Sequence, residues 1–158
     1  MLIINNIQSE KYLSQLNITG NISINEFDSD KFTYSKTVSP FKDNTINKIC
    51  KIISESASGS NWQLLYISDY NIFPSTENLN LYYTFQKFHG GNGEISDYPG
   101  HLFFSHENNE LASMIAIALL NCFDAIVVSQ NDYSRFKISH HGIIKVLSQD
   151  PELIKILD

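Results

Sequence analysis

The second half of the chain contains histidine and carboxylate side chains of the kind that bind transition metals: His101, His106, Glu107 and His140. Imidazole nitrogen and carboxylate oxygen are common ligands of zinc and related ions, and a metal-bound water would suit a hydrolase. Their spacing matches no strong metal motif, and the adjacent His140 and His141 would point to opposite faces of a strand. The sequence therefore favours histidines at strand ends or in turns, with a metal-dependent hydrolase as an alternative.

The two cysteines are another potential source of chemistry. Cys122 could act as a nucleophile with His140 or His141 as its base, which would require an exposed, electropositive setting. Cys122 instead closes an almost wholly apolar run, and Cys50 lies in a second apolar, helix-like segment. Both are therefore predicted to be buried free thiols, which is typical of a reducing compartment.

Pairs of carboxylates occur at Glu94 and Asp97 and at Glu107 and Glu110. General acid–base catalysis needs one member of such a pair in an apolar pocket that raises its pKa. The first pair lies in the polar, glycine-rich loop of residues 89–100, and the second suits the positive N-terminal end of a helix. The glycines of the loop match neither a P-loop nor a dinucleotide fingerprint. We therefore expect a non-enzymatic protein without a cofactor.

Tyrosines and carboxylates are concentrated in the middle of the chain. Tyrosine provides a large contact area at low entropic cost, and carboxylates select a basic partner. The alternative is that the tyrosines are half-buried on sheet faces and that the acids maintain solubility. We favour an interface and predict these partner-binding residues: Asp69, Tyr70, Glu77, Glu94, Asp97 and Tyr98.

The charge balance narrows the class of partner. The 158 residues include 17 acidic and 11 basic side chains, which gives a formal net charge of −6. Proteins that bind nucleic acids use clustered basic residues to neutralise phosphates, so nucleic acid is disfavoured and a basic protein is favoured. The first residues lack the pattern of a secretory signal, and no apolar run approaches the length of a membrane span. We expect a cytoplasmic protein that binds no membrane.

Residues 1–40 are interpreted as short strands and turns, and a helix and two further strands follow. Residues 22–27 alternate in polarity and residues 32–38 form a second extended run, which predicts an antiparallel hairpin within the first forty residues. A helix is predicted over residues 43–57, capped by one of its first three residues, because apolar side chains recur at helical spacing. Residues 62–68 and 79–88 are predicted to be strands.

The second half predicts the central helix and the rest of a sheet. Residues 101–105 read as a strand, and Ser105 is a predicted N-cap for a helix whose apolar run spans residues 111–120. The remaining elements are strands at residues 125–129, 135–140 and 143–147, and a terminal helix opened by Pro151. We predict a single α+β domain over residues 1–158, in which an antiparallel or mixed sheet packs against two main helices and a short C-terminal helix.

Three segments of the last third of the chain carry a family resemblance. They are YPGHLFFSHE at residues 98–107, FDAIVV at residues 123–128 and FKISHH at residues 136–141, with the apolar helix between the first two. Together they resemble immunity proteins of bacterial polymorphic or contact-dependent toxin systems. An acidic residue often follows the Ser-His of that pattern, whereas His141 stands here. The resemblance implies a protein that binds and neutralises a cognate toxin domain and has no catalytic residues.

These observations lead to one main expectation and two alternatives. The main expectation is a non-enzymatic immunity or inhibitor protein that occludes the active site of a basic, nuclease-like toxin domain. The first alternative is the metal-dependent hydrolase described above. The second is an adaptor or homo-oligomeric subunit, with a weak homodimer formed through a strand edge near residues 32–38; the chain is otherwise expected to be a monomer.

Overall fold

The computed structural model of the chain describes residues 1–18, 31–39, 45–56, 59–70 and 76–157. The strands are β1 (Leu2–Ile4), β2 (Tyr34–Val38), β3 (Trp62–Asp69), β4 (Gly100–Phe104), β5 (Asp124–Ser129), β6 (Ser134–Ser139) and β7 (Ile143–Ser148). They form one seven-stranded sheet in the order β1-β4-β3-β5-β6-β7-β2, and every neighbouring pair is antiparallel.

The described helices are α1 (Asn6–Gln15), α2 (Thr45–Ser56), α3 (Thr76–Phe88), α4 (Asn108–Leu120) and α5 (Pro151–Lys155). The chain is a single α+β domain, as predicted, and its sheet is larger than the one expected from the sequence. Within the residues that the structure describes, no helix has the length and apolar character needed to cross a membrane.

The larger core lies between one face of the sheet and helices α2 to α5. Leu65, Phe103, Val127 and Phe136 point to this face from four neighbouring strands and are at most 2% exposed. Met114, in the apolar helix α4, is fully buried against them. As predicted, α4 is the most apolar helix and it packs at the centre of this core.

The opposite face of the sheet carries a smaller core, which α1 covers at β3 and β4. Leu64 and Leu102 on the strands pack with Leu13 of α1. The rings of Tyr12 and Trp62 meet edge to face, with their centroids 4.9 Å apart. Because both faces are covered, β5 has no exposed residue, which explains its continuous apolar sequence.

The predicted strands near the N-terminus are wrong for residues 6–15, which form α1. The cause is a capping box: Asn5 accepts a hydrogen bond from the backbone N–H of Gln8, whose side chain accepts one from the backbone N–H of Asn5. The extended run at Tyr34–Val38 is confirmed as β2, which pairs with β7. Its predicted hairpin partner at residues 22–27 lies outside the described residues.

The predicted strand at residues 79–88 is also wrong, because this segment belongs to α3. Leu79, Tyr82, Tyr83 and Gln86 share its inward face at the spacing of a helix. Aromatic residues favour strands, and they concealed this period in the sequence.

The predicted N-cap of the central helix is wrong as well. The helix begins at Asn108 and Glu107 occupies the N-cap position, so Ser105 lies before the cap. The Glu107 side chain accepts a hydrogen bond from the backbone N–H of Phe104 at 2.9 Å, which closes the turn that leads into the helix. The predicted strands after this helix and the C-terminal helix that begins at Pro151 are confirmed.

Candidate functional site

One end of the sheet brings together most of the predicted binding residues. β3 ends at Asp69, which is opposite Asp124 at the start of β5. The backbone N–H of Ile67 donates to the carbonyl of Pro99 at 3.0 Å, so the segment that precedes β4 lies at the same end. We name this region the acidic end and define it by Asp69, Tyr70, residues 94–98 and Asp124.

The segment Glu94–Tyr98 is a turn that holds its exposed side chains on a buried anchor. The backbone N–H groups of Asp97 and Tyr98 donate to the carbonyl of Glu94 at 3.1 and 3.0 Å. Ile95 is only 2% exposed and packs in the larger core, whereas Glu94, Asp97 and Tyr98 are exposed. The turn therefore presents two carboxylates and an aromatic ring from a fixed position.

Gly93 is required by the close approach of the Tyr98 ring. A Cβ atom on Gly93 would lie 2.1 Å from Cδ2 of that ring, which is far below any normal contact distance. The ring therefore rests against the backbone of the glycine-rich loop. Here the glycine allows an aromatic side chain to lie directly against the loop.

Two tyrosines lie behind this turn. Tyr70 is half-buried against the larger core, and the hydroxyl of Tyr83 donates to Glu94 Oε2 at 2.7 Å. Burial, the hydrogen bond to Glu94 and the charge of that carboxylate raise the pKa of Tyr83, and Tyr70 adds a smaller effect. Tyr83 was not among the predicted binding residues. If residues 79–88 had been predicted as a helix, the helical spacing would have distinguished the partly exposed Tyr83 from the fully buried Tyr82.

Glu77 stands apart from the other predicted residues. It is exposed in the first turn of α3, where its negative charge interacts favourably with the positive N-terminal end of the helix dipole. No contact described for the chain joins it to the acidic end.

Asp124 forms a half-exposed pair with His140 beside Asp69. Asp124 Oδ1 lies 2.7 Å from the backbone nitrogen of His140 and 3.0 Å from its ring Nδ1. The rings of His140 and His141 have centroids 3.9 Å apart, so the prediction that they point to opposite faces of a strand is wrong. Both histidines lie in the turn between β6 and β7, in which Gly142 has a positive φ of 69°.

The four residues predicted as metal ligands are not assembled into one site. His101 is fully buried, and its Nε2 lies 3.1 Å from the hydroxyl of Tyr82. His106 is exposed and stacks near Phe104, and the Glu107 carboxylate is held by the Phe104 N–H and the Met1 amine. Among the described residues, no three His, Cys, Asp or Glu side chains are placed to hold a metal ion.

Burial controls the protonation of the interior polar groups around His101. Desolvation lowers the pKa of His101 from 6.5 to about 4, so this ring is neutral at physiological pH. Burial also raises the pKa of the neighbouring Tyr82 hydroxyl well above its usual range. Gln86 completes the group by lying 3.4 Å from that hydroxyl. These residues join α3 to β4 in the core.

The cysteines are free, as predicted, but both are half-buried and not fully buried. Burial raises the pKa of the Cys50 thiol, which makes it less reactive. Cys122 has a positive φ of 53° and lies in the turn between α4 and β5, one residue beyond the C-cap Asn121. The helix therefore ends before Cys122, which does not belong to its apolar face.

The opposite end of the β5–β6 hairpin contains a buried ion pair that the sequence did not single out. Nε and an NH₂ nitrogen of Arg135 each lie 2.8 Å from an oxygen of Asp132, and the same NH₂ group donates to the Leu16 carbonyl at 2.9 Å. Lys31 Nζ lies 2.8 Å from Asp132 Oδ2, and the guanidinium stacks over Phe32 at 5.1 Å. We name this group the arginine end. Its contacts fix the end of α1 and residues 31–32 to the hairpin.

Comparisons of the chain with known protein families, curated proteins and solved structures give no match. The acidic end offers carboxylates and tyrosine hydroxyls on fixed backbone, which is chemistry suited to recognition of a cationic surface.

Proposed function

We propose that this chain is a non-enzymatic immunity or inhibitor protein that binds a basic, nuclease-like toxin domain and occludes its active site. The observation that carries the proposal is the convergence at the acidic end. Asp69, Glu94 and Asp97 are exposed there with the ring of Tyr98, on elements that come from distant parts of the chain.

The physical basis is electrostatic complementarity. A toxin that acts on nucleic acid must present basic residues to phosphate groups, and carboxylates on an inhibitor attract such a surface and speed the encounter. The net charge of −6 acts in the same direction. The resemblance of the C-terminal segments to immunity proteins points to the same class of partner.

The tyrosines supply the contact area that charges alone do not provide. Tyr98 is 38% exposed and its ring is seated on Gly93, so little conformational entropy remains to be lost on binding. Tyr83 adds a second ring next to this turn, since its hydroxyl donates a hydrogen bond to Glu94. An aromatic centre surrounded by carboxylates is a typical arrangement for binding an arginine- or lysine-rich surface.

The test is a calorimetric and kinetic titration of the purified chain against the C-terminal domain of the protein encoded by the upstream neighbour of its gene, which the proposal takes to be the toxin. We expect a tight one-to-one complex. Replacing Asp69, Glu94 and Asp97 together with Ala should slow association by about tenfold or more at low salt, because these charges steer the encounter. High salt should reduce the difference between the parent chain and the variant.

A matched control separates the surface from the overall charge. Glu10→Ala removes one exposed carboxylate from α1, which covers the other face of the sheet, and Asp97→Ala removes one from the acidic end. Asp97→Ala should slow association more than Glu10→Ala does. Equal effects would place the interface elsewhere, and failure of the parent chain to form any complex would contradict the proposed partner.

An adaptor or homo-oligomeric subunit is the second candidate, because β2 is the last strand on one side of the sheet among the described residues. Two copies would extend the sheet through this strand, although Lys36 at its centre opposes such pairing. A monomeric mass in sedimentation at micromolar concentration would contradict the homodimer.

A further inference from the structure

A groove lies near the arginine end, between the end of α2, the turn before β6, and α5. Its volume is about 650 Å³. Leu153 and Ile156 line it with apolar carbon and pack against the larger core on their other side. Tyr133 lines the same groove and is 55% exposed.

The backbone that carries Tyr133 is fixed on both sides. The side-chain nitrogen Nδ2 of Asn131 donates to the Ser56 carbonyl at 2.7 Å, and the side-chain oxygen Oδ1 of Asn131 accepts from Ser129 Oγ at 2.7 Å. The backbone N–H of Gln149 donates to the Tyr133 carbonyl at 3.0 Å. An exposed aromatic ring on such a rigid turn costs little entropy to bind, and this is the usual property of an interface anchor.

Three carboxylates complete the lining of the groove: Glu55, Asp150 and Glu152. Glu55 lies 3.7 Å from Lys51 and Glu152 lies 2.5 Å from Lys155, and all four of these side chains are exposed. Ion pairs of this kind contribute little and exchange easily with other cations. The groove therefore combines an apolar lining with negative charge that a ligand cation can reach.

We infer that this groove binds an arginine or lysine side chain of a protein partner, flanked by apolar residues. The aliphatic stem would lie along Leu153 and Ile156, and the charged head would meet the carboxylates and the face of the Tyr133 ring. The groove lies at the other end of the sheet from the acidic end. It is therefore a second interaction surface, independent of the proposed toxin contact.

The experiment is a titration of the full chain with short peptides, followed through its backbone amide NMR signals. The probe is acetyl-Leu-Arg-Leu-amide, with acetyl-Leu-Gln-Leu-amide and spermidine as comparison ligands. The arginine peptide should shift the amides of Tyr133, Gln149 and Leu153 and leave those of the acidic end unchanged. Tyr133→Ala should weaken this binding by about fivefold, because it removes the cation–π contact.

Phe88→Ala is the control, since it removes an exposed aromatic ring from the end of α3, outside both proposed surfaces. It should leave binding of the arginine peptide unchanged. Equal binding of the glutamine peptide, equal binding of spermidine, an equal loss with Phe88→Ala, or no shift around Tyr133 would each overturn the inference. None of these results bears on the toxin titration, so the two proposals fail or stand separately.

Discussion

The β5–β6 hairpin carries a carboxylate paired with a basic side chain at each of its two ends. Asp132 follows β5 and pairs with Arg135 in β6, with a closest approach of 2.8 Å. Asp124 begins β5 and pairs with His140 after β6, at 3.0 Å. The distances are similar but the exposures differ: 3% and 7% for Arg135 and Asp132, against 22% and 24% for His140 and Asp124.

This difference in burial assigns different roles to the two pairs. A buried charge is tolerated only when its hydrogen bonds are satisfied, and Arg135 meets this requirement through Asp132 and the Leu16 carbonyl. The arginine end therefore joins separate parts of the fold. Asp124 and His140 remain accessible to water next to the exposed Asp69, so the acidic end is available for recognition.

The largest effect is expected at the arginine end. Asp132→Ala would leave the Arg135 guanidinium buried without its carboxylate and would also remove the partner of Lys31. The free energy of unfolding should fall by about 3–5 kcal/mol. Urea denaturation, followed by circular dichroism, measures this change.

A double variant distinguishes the removal of both charges of the ion pair from the removal of only one of them. Asp132→Leu combined with Arg135→Met replaces both charges with apolar side chains, and it should be more stable than Asp132→Ala alone. If Asp132→Ala lowered stability by less than about 1 kcal/mol, the usual effect of a solvent-exposed pair, then burial would not distinguish the two ends of the hairpin.

The sequence predicts the strands around this hairpin but not the contacts of the arginine end. The continuous apolar run in β5 and the alternation around Phe136 and Ile138 are enough to predict two strands and a turn. Arg135 reaches Leu16, which is 119 positions away, and no local pattern encodes that contact. The helix α1 was missed because its helical period is weak and its start is set by a side-chain cap, and α3 was missed because its aromatic residues favour strands.

The placement of the acidic end could be predicted only in part, because its two main segments are each continuous in the sequence but lie far apart from one another and from Asp124. Residues 94–98 form one turn, and Asp69 and Tyr70 follow one strand. The pairing of Asp124 with His140 depends on the register of β5 and β6, and this register appears only in the folded sheet. The metal-site alternative supposed that aligned strands bring His101, His106 and His140 together with Glu107 or Asp124, and in the fold His140 pairs with Asp124 while His101 is buried elsewhere.

An intermediate effect on stability is expected for His101, a fully buried group that can titrate. Burial lowers its pKa from 6.5 to about 4. Between these values the unfolded chain binds a proton that the folded chain does not, so stability should fall as the pH decreases from 6.5 to 4. The full loss attributable to this group is about 3 kcal/mol, and denaturation at several pH values measures it.

Two variants test whether burial causes this dependence on pH. His101→Gln keeps a polar side chain near the Tyr82 hydroxyl but cannot titrate, so its stability should change less between pH 6.5 and 4. Tyr82→Phe removes the hydrogen bond and keeps the histidine buried, so the dependence should persist. A similar dependence in the parent chain and in His101→Gln would show that other groups are responsible.

The smallest effects on stability are expected at the acidic end, where Asp124 and His140 are partly exposed. Asp124→Ala removes the acceptor of both the backbone N–H and the ring of His140, in a place that water can reach, so stability should fall by about 1 kcal/mol. His140→Ala should have a still smaller effect, because its backbone N–H can continue to donate to Asp124. Urea denaturation of both variants beside Asp132→Ala provides the measurement. A loss for Asp124→Ala as large as that for Asp132→Ala would mean that half-exposed Asp124 is as important to the fold as buried Asp132, and that the acidic end is not reserved for binding.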